Sequence, residues 1–105
     1  MELLELADLV QGVLTGNAEA QYKMARMHLT GVGADATDSE AFRLSKLSAE
    51  QGYERAYLLL ARCYRFGWGT QKSIDDALKW YEKATQNGDQ TAKEEYFEVK
   101  SLKRN

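Results

Sequence analysis

Sliding the sequence along itself by 36 residues brings glycine onto glycine and alanine onto alanine. Gly16, Gly52 and Gly88 align, as do Ala20, Ala56 and Ala92; Ala25 meets Ala61, Arg26 meets Arg62, Gly31 meets Gly67, Gly33 meets Gly69 and Ala41 meets Ala77. Composition alone would give roughly two identities per period, against the seven found here, so the repeat is genuine. A unit of this length is one supersecondary motif that cannot bury its own apolar face. Copies must therefore stack, each touching only its neighbours.

The chemistry within the period is that of a helix pair. Ala20, Met24 and Met27, then Ala41, Leu44 and Ser48, step by three or four residues, and so do Ala56, Leu60 and Cys63, then Ala77, Trp80 and Ala84. Gly31 and Gly67 stand where a first helix must stop, because glycine takes the left-handed conformation of a helix terminus without a Cβ penalty. Thr37 with Glu40, and Ser73 with Asp76, restart the chain as N-cap and N3 residues. Gly52 and Gly88 close the second helices, and with no proline in the chain glycine and caps supply the punctuation. The expected organisation is all-α: a capping helix over 2–14 in second-helix register, repeat one over 17–52 (helices 18–30 and 38–50), repeat two over 53–88 (helices 54–66 and 74–86), and an incomplete third repeat over 89–105 whose one helix spans 89–102. Stacking of these pairs gives a short right-handed α-α solenoid.

AEAQYKMARMHLTGVG (18–33) and ERAYLLLARCYRFGWG (54–69), followed by EAFRLSKLSAEQG (40–52) and DALKWYEKATQNG (76–88), resemble Sel1-like repeats, relatives of the tetratricopeptide repeat with a longer turn bearing G-x-G. The period, the G-x-G, the second-helix alanine and the run Trp80, Tyr81, Lys83, Ala84 stand in register over about residues 16–100. Repeat one departs from the pattern, with Leu44 and Ser45 in place of a Trp-Tyr pair, and Ala34 and Thr70 stand where a valine is usual. The resemblance implies scaffold work: a non-enzymatic module, often bacterial, that presents a concave surface to a partner protein or peptide.

Composition excludes more than it selects. A net charge of −2 supplies no field that would draw the molecule to phosphate backbones or an anionic membrane. No run approaches the roughly 18 apolar residues of a membrane span, and the start, MELLELADLVQGVL, lacks the basic region of a signal peptide. The single Cys63 rules out an intrachain disulfide, so a reducing, cytoplasmic setting is expected. No cofactor is implied. His28, aligned with Tyr64, reads as an aromatic packed against the turn, and Cys63, aligned with Met27, as an apolar contact. No third group is positioned to orient them as a catalytic pair. Asp35, Asp38 and Glu40 lack the alternating ligands and central glycine of a calcium loop and read as a solvated turn. Asp75, Asp76, Glu94 and Glu95 read as charges complementing helix dipoles.

The arginines carry the functional expectation. In the family register, Tyr22, Arg26 and Leu29, then Arg55, Leu58, Arg62 and Arg65, then Glu94 and Glu98 face the groove. Two readings compete: internal ion pairs with Glu94, Glu98 and Glu19, or a basic strip edged by tyrosine for an acidic peptide. On the second reading, Arg62→Ala weakens partner binding by about 1–3 kcal/mol and leaves stability nearly unchanged. An inhibitor or immunity protein that plugs one enzyme or toxin is the alternative role; a nucleic-acid binder rests on the arginines alone. At the other end, Phe97 occupies the position of Ala25 and Ala61, where paired helices approach closely. With Leu102 it forms an expected apolar patch, suited to a symmetric homodimer through the C-terminal helix.

Overall fold

Six helices stack in chain order in the computed structural model, which describes residues 2–31 and 36–103. They are α1 (Leu3–Leu14), α2 (Ala18–Thr30), α3 (Asp38–Glu50), α4 (Glu54–Phe66), α5 (Ile74–Gln86) and α6 (Gln90–Lys103). Each packs chiefly on the next, and no strand occurs among the described residues. The result is an all-α solenoid of antiparallel pairs, α2 with α3 and α4 with α5, extending 47 × 26 × 19 Å.

The helix starts follow from their caps. The hydroxyls of Thr37 and Ser73 each accept the amide of the residue three positions on, Glu40 and Asp76, at 3.2 Å. Asn17 and Asp89 do the same for Ala20 and Ala92, at 2.9 and 3.0 Å. Each bond satisfies one of the amides that a helix N-terminus leaves unpaired. Gly31 and Gly67 are left-handed C-caps with φ of 74° and 72°. The second helices end where expected, at Glu50 and Gln86, and Gly52 and Gly88 take the left-handed conformation one residue beyond the caps Gln51 and Asn87.

Gly69 explains the second glycine of G-x-G. Its φ is +72°, and a Cβ there would lie 2.0 Å from the carbonyl oxygen of Asp38, so the turn after α4 rests directly on the start of α3. Gly33, its counterpart in repeat one, lies outside the described residues, as does Asp35.

The core is uneven along the stack. Leu60, Ala61, Ala77, Tyr81, Ala84, Ala92 and Val99 are essentially buried and form one cluster with Ala49, Ala56 and Trp80. In repeat one the Trp80–Tyr81 positions hold Leu44 and Ser45. Ser45 is nonetheless fully buried: its hydroxyl donates to the Phe42 carbonyl at 3.1 Å and lies 3.8 Å from the Cys63 sulfur. α1 contributes only Leu9 to the buried set, meeting α2 where Gly12 approaches Ala20 so closely that a Cβ would lie 2.6 Å from the alanine methyl.

Candidate functional site

The first helices of the pairs, α2, α4 and α6, form a row, and the groove residues named from the sequence lie along it. Across the row a side chain meets the residue 33 positions on, not 36: Tyr22 receives Arg55, Arg62 meets Glu95, and Arg65 meets Glu98. The difference is nearly one helical turn, the displacement introduced where neighbouring helices cross rather than run in register.

Glu95, expected from the sequence to be a charge complementing a helix dipole, is instead the partner of the arginines. It lies beyond the first turn of α6, not at the helix start, and its carboxylate is turned inward. The Arg62 guanidinium grips it with two bonds, Nε to Oε1 at 3.0 Å and Nη2 to Oε2, while the Tyr81 hydroxyl donates to Oε1 at 2.8 Å. Burial pushes this carboxyl up, but hydrogen bonds from Arg62 and Tyr81, with the charges of Arg62 and Arg65, outweigh it and hold the group below the ordinary carboxylate range. Tyr81 is raised by burial and by its bond to Glu95, so it remains a donor. Arg65 reaches Glu98 at 3.3 Å and lies over the Phe66 ring at 4.8 Å.

The other half of the strip is arranged differently. Arg26 and Arg55 both stand over the Tyr22 ring, at 5.8 and 5.2 Å from its centroid, and the Tyr53 ring packs against it, tilted, at 5.5 Å. Both arginines are exposed, and neither makes an ion pair among the described residues. Glu19, which the sequence offered as a mate for the arginines, pairs with Lys23 at 3.1 Å. Leu29 and Leu58 are half-buried beside this surface, and Glu94 is exposed. The basic strip is thus divided between Arg62 and Arg65, held by α6, and Arg26 and Arg55, held only by aromatic contacts.

The chemical candidates take structural places. The Nδ1 atom of His28 accepts the Thr37 amide at 3.0 Å, the same turn contact that the Tyr64 carbonyl makes with the Ser73 amide at 2.9 Å one repeat later. Cys63 is fully buried, and burial pushes its thiol up to about 11, far from the thiolate that nucleophilic chemistry requires. Phe97 and Leu102 are 57% and 52% exposed, with Phe97 edge-on to Tyr96 at 5.4 Å.

A stack of helix pairs with a 36-residue period, a G-x-G turn and a side-chain strip along its first helices is a helical-repeat scaffold. The Sel1 repeat family model matches residues 18–53 and 54–89, and the chain belongs to that family. Sel1 repeat proteins are in general protein–protein interaction modules. Among solved structures it is similar to a Sel1 repeat protein from Oxalobacter formigenes, with 33% identity and a TM-score of 0.76, covering 90% of this chain and 71% of that one. It is also similar to c5321, a protective antigen of uropathogenic Escherichia coli displaying an SLR fold, with 28% identity and a TM-score of 0.79 over 87% of this chain and 20% of that one. Among curated proteins it is 31% identical over 84 residues to the chitin synthase regulator SKT5 of Saccharomyces cerevisiae, and 32% identical over 76 residues to that of Malassezia restricta. These alignments take in 78% and 70% of this chain but only 12% and 5% of the two regulators. No helix among the described residues is long and apolar enough to cross a membrane.

Proposed function

We propose that this chain is a non-enzymatic adaptor or scaffold that holds an acidic segment of a partner protein against the Tyr22, Arg26 and Arg55 cluster. The observation that carries the reading is the division of the strip: Arg62 and Arg65 have carboxylate partners, while Arg26 and Arg55 lie exposed over an aromatic ring with none among the described residues. Arginine on an aromatic platform presents its donor fork ready-oriented, and such pairs are enriched where interfaces concentrate energy. The half-buried Leu29 and Leu58 supply apolar contact beside it. The unpaired charge is local, so it suits a short acidic segment better than a nucleic-acid backbone.

Capture of the partner from cell extract on immobilised chain and its identification by mass spectrometry, with the wild type and an Arg26→Glu/Arg55→Glu variant run side by side, test this reading. A protein retained by the first and lost by the second is the expected result; the same proteins retained by both would overturn the assignment. The names of the two curated relatives, both regulators of an enzyme, favour an enzyme as the partner, and inhibition or activation of a captured enzyme separates an inhibitor from an adaptor. The buried, unpaired Cys63 suits a reducing compartment such as the cytoplasm. The exposed Phe97 and Leu102 support self-association through α6.

A further inference from the structure

By repeat register α1 stands as a second helix and α6 as a first helix, at opposite ends of the stack. Leu9 of α1 aligns with Ser45 of α3 and Tyr81 of α5, and it is the one residue α1 buries, so α1 occupies the place of a second helix. Val99 and Ala92 of α6 align with Cys63 and Ala56 of α4 and are likewise fully buried, so α6 occupies the place of a first helix. Beside α1 runs a cleft of about 480 Å³, lined by Glu5, Asp8, Leu9, Gly12, Ala20 and Lys23. Asp8 and Gly12 correspond to Trp80 and Ser48, which meet the first helix of their own pair at Tyr57 and the Ala18 carbonyl, while Leu9 corresponds to Ser45 and Tyr81, which face the first helix of the next. Gly12 keeps the cleft wall low where Ser48 and Ala84 keep it low in α3 and α5.

We propose that copies of this chain join head to tail, α6 of one copy seating in the cleft beside α1 of the next so that the two form an intermolecular helix pair. This deepens the self-association reading, and it replaces a symmetric α6–α6 contact with a heterologous one. The contacts inside the molecule predict those between molecules. Within repeat two, Tyr57 of the first helix packs on Trp80 of the second at 5.7 Å. One period on from Tyr57 is Lys93, and two periods before Trp80 is Asp8, both exposed, so the same contact between copies joins opposite charges. Along the row of first helices, Arg62 meets Glu95. The same step carried one period on and into the next copy sets Glu98 against Lys23, again opposite charges. The one like-charged pair these two steps create is Glu94 with Glu19, and Lys23, which pairs with Glu19 at 3.1 Å within the chain, is shared there between Glu19 and Glu98. The exposed Phe97 is brought under cover at the same joint. A heterologous contact of this kind builds rings or filaments rather than stopping at two.

Sedimentation velocity and light scattering on the full chain at low salt, from micromolar to millimolar concentration, test the joint. The expected result is an average mass that climbs past the dimer with concentration. Lys93→Glu and Asp8→Lys alter exposed side chains, so circular dichroism should show both folded. Each alone should raise the concentration needed for association by at least about tenfold, and an equimolar mixture of the two should recover it, because each supplies the other's complementary half. A wild type that stays monomeric throughout would overturn the proposal, and so would a dimer indifferent to Asp8→Lys, which is the symmetric outcome. Partner capture by the groove should be unchanged in Lys93→Glu, so failure of one reading does not entail failure of the other.

Discussion

At the scale of single residues, the position that ties the stack together is Glu95, which receives Arg62 from α4 and Tyr81 from α5. The sequence made the arginines legible and left their partner hidden, because repeat register predicts which positions are equivalent but not how far one helix slides past the next. A shift of three residues moved the partner of Arg62 from Glu98 to Glu95. Removing one side of a half-buried, charge-assisted pair costs about 1.5–3 kcal/mol. Glu95→Gln, and equally Arg62→Ala, should therefore lower the melting temperature, which moves the main expected effect of Arg62→Ala from partner binding to stability. The pH dependence has a definite sign. A carboxylate whose pKa is lower folded than unfolded stabilises the fold above its unfolded value, about 4.3, and loses that contribution as pH falls through the folded value. Chemical denaturation from pH 7 down to pH 3 should show the stability gap between wild type and Glu95→Gln narrowing below about pH 4.3. A gap that is constant with pH would show that packing, not charge, is what the substitution removes.

At the scale of the element, helices and turns were legible nearly to the residue, since their punctuation is local chemistry. Thr37 and Ser73 cap as their spacing requires, and Gly31 and Gly67 take the left-handed conformation that ends a helix. The role of Gly69 was not legible, because its neighbour, Asp38, lies 31 positions earlier on a different helix. Two constraints coincide there, a positive φ and a backbone oxygen where a Cβ would go. Gly69→Ala should thus cost roughly 1–3 kcal/mol for the backbone conformation alone, and more for displacing the turn from α3. Gly88→Ala, with φ of 88° but nothing within 4 Å of the added carbon, isolates the first contribution. Urea unfolding of the two variants should show Gly69→Ala the less stable; equal losses would mean that the contact with Asp38 is free to relax. α1 buries less than its apolar pattern offers. Leu3, Leu6, Leu9 and Val10 share an apolar stripe, yet only Leu9 is buried and Leu3 is 81% exposed.

At the scale of the whole molecule, a solenoid has no central core, and its stability is close to a sum of local terms and neighbour interfaces. Those terms are unequal here. The Trp80–Tyr81 pair, Leu60 and Val99 concentrate buried volume in α4, α5 and the face of α6 that covers them, whereas repeat one substitutes Leu44 and Ser45, and α1 adds one buried leucine. Cooperative opening should therefore begin at α1 and run toward repeat two, since each helix loses one of its two supports when its neighbour detaches. Native-state hydrogen exchange followed by mass spectrometry should find the slowest amides in α4 and α5, intermediate protection in α2 and α3, and the fastest exchange in α1. Two truncations make the gradient a sharper claim. Leu60→Ala empties a fully buried site and should destabilise the molecule by about 2–5 kcal/mol, accelerating exchange in all six helices. Leu9→Ala removes the same atoms from a site at the margin and should accelerate exchange in α1 while leaving α4 and α5 unchanged. If both variants speed exchange everywhere alike, the stack unfolds as one unit and the neighbour-by-neighbour picture fails. If Leu9→Ala alone is local, the free energy of this chain resides in repeat two, and the Tyr22, Arg26 and Arg55 cluster lies across the boundary between the more and less stable repeats, where a bound partner would stabilise repeat one the most.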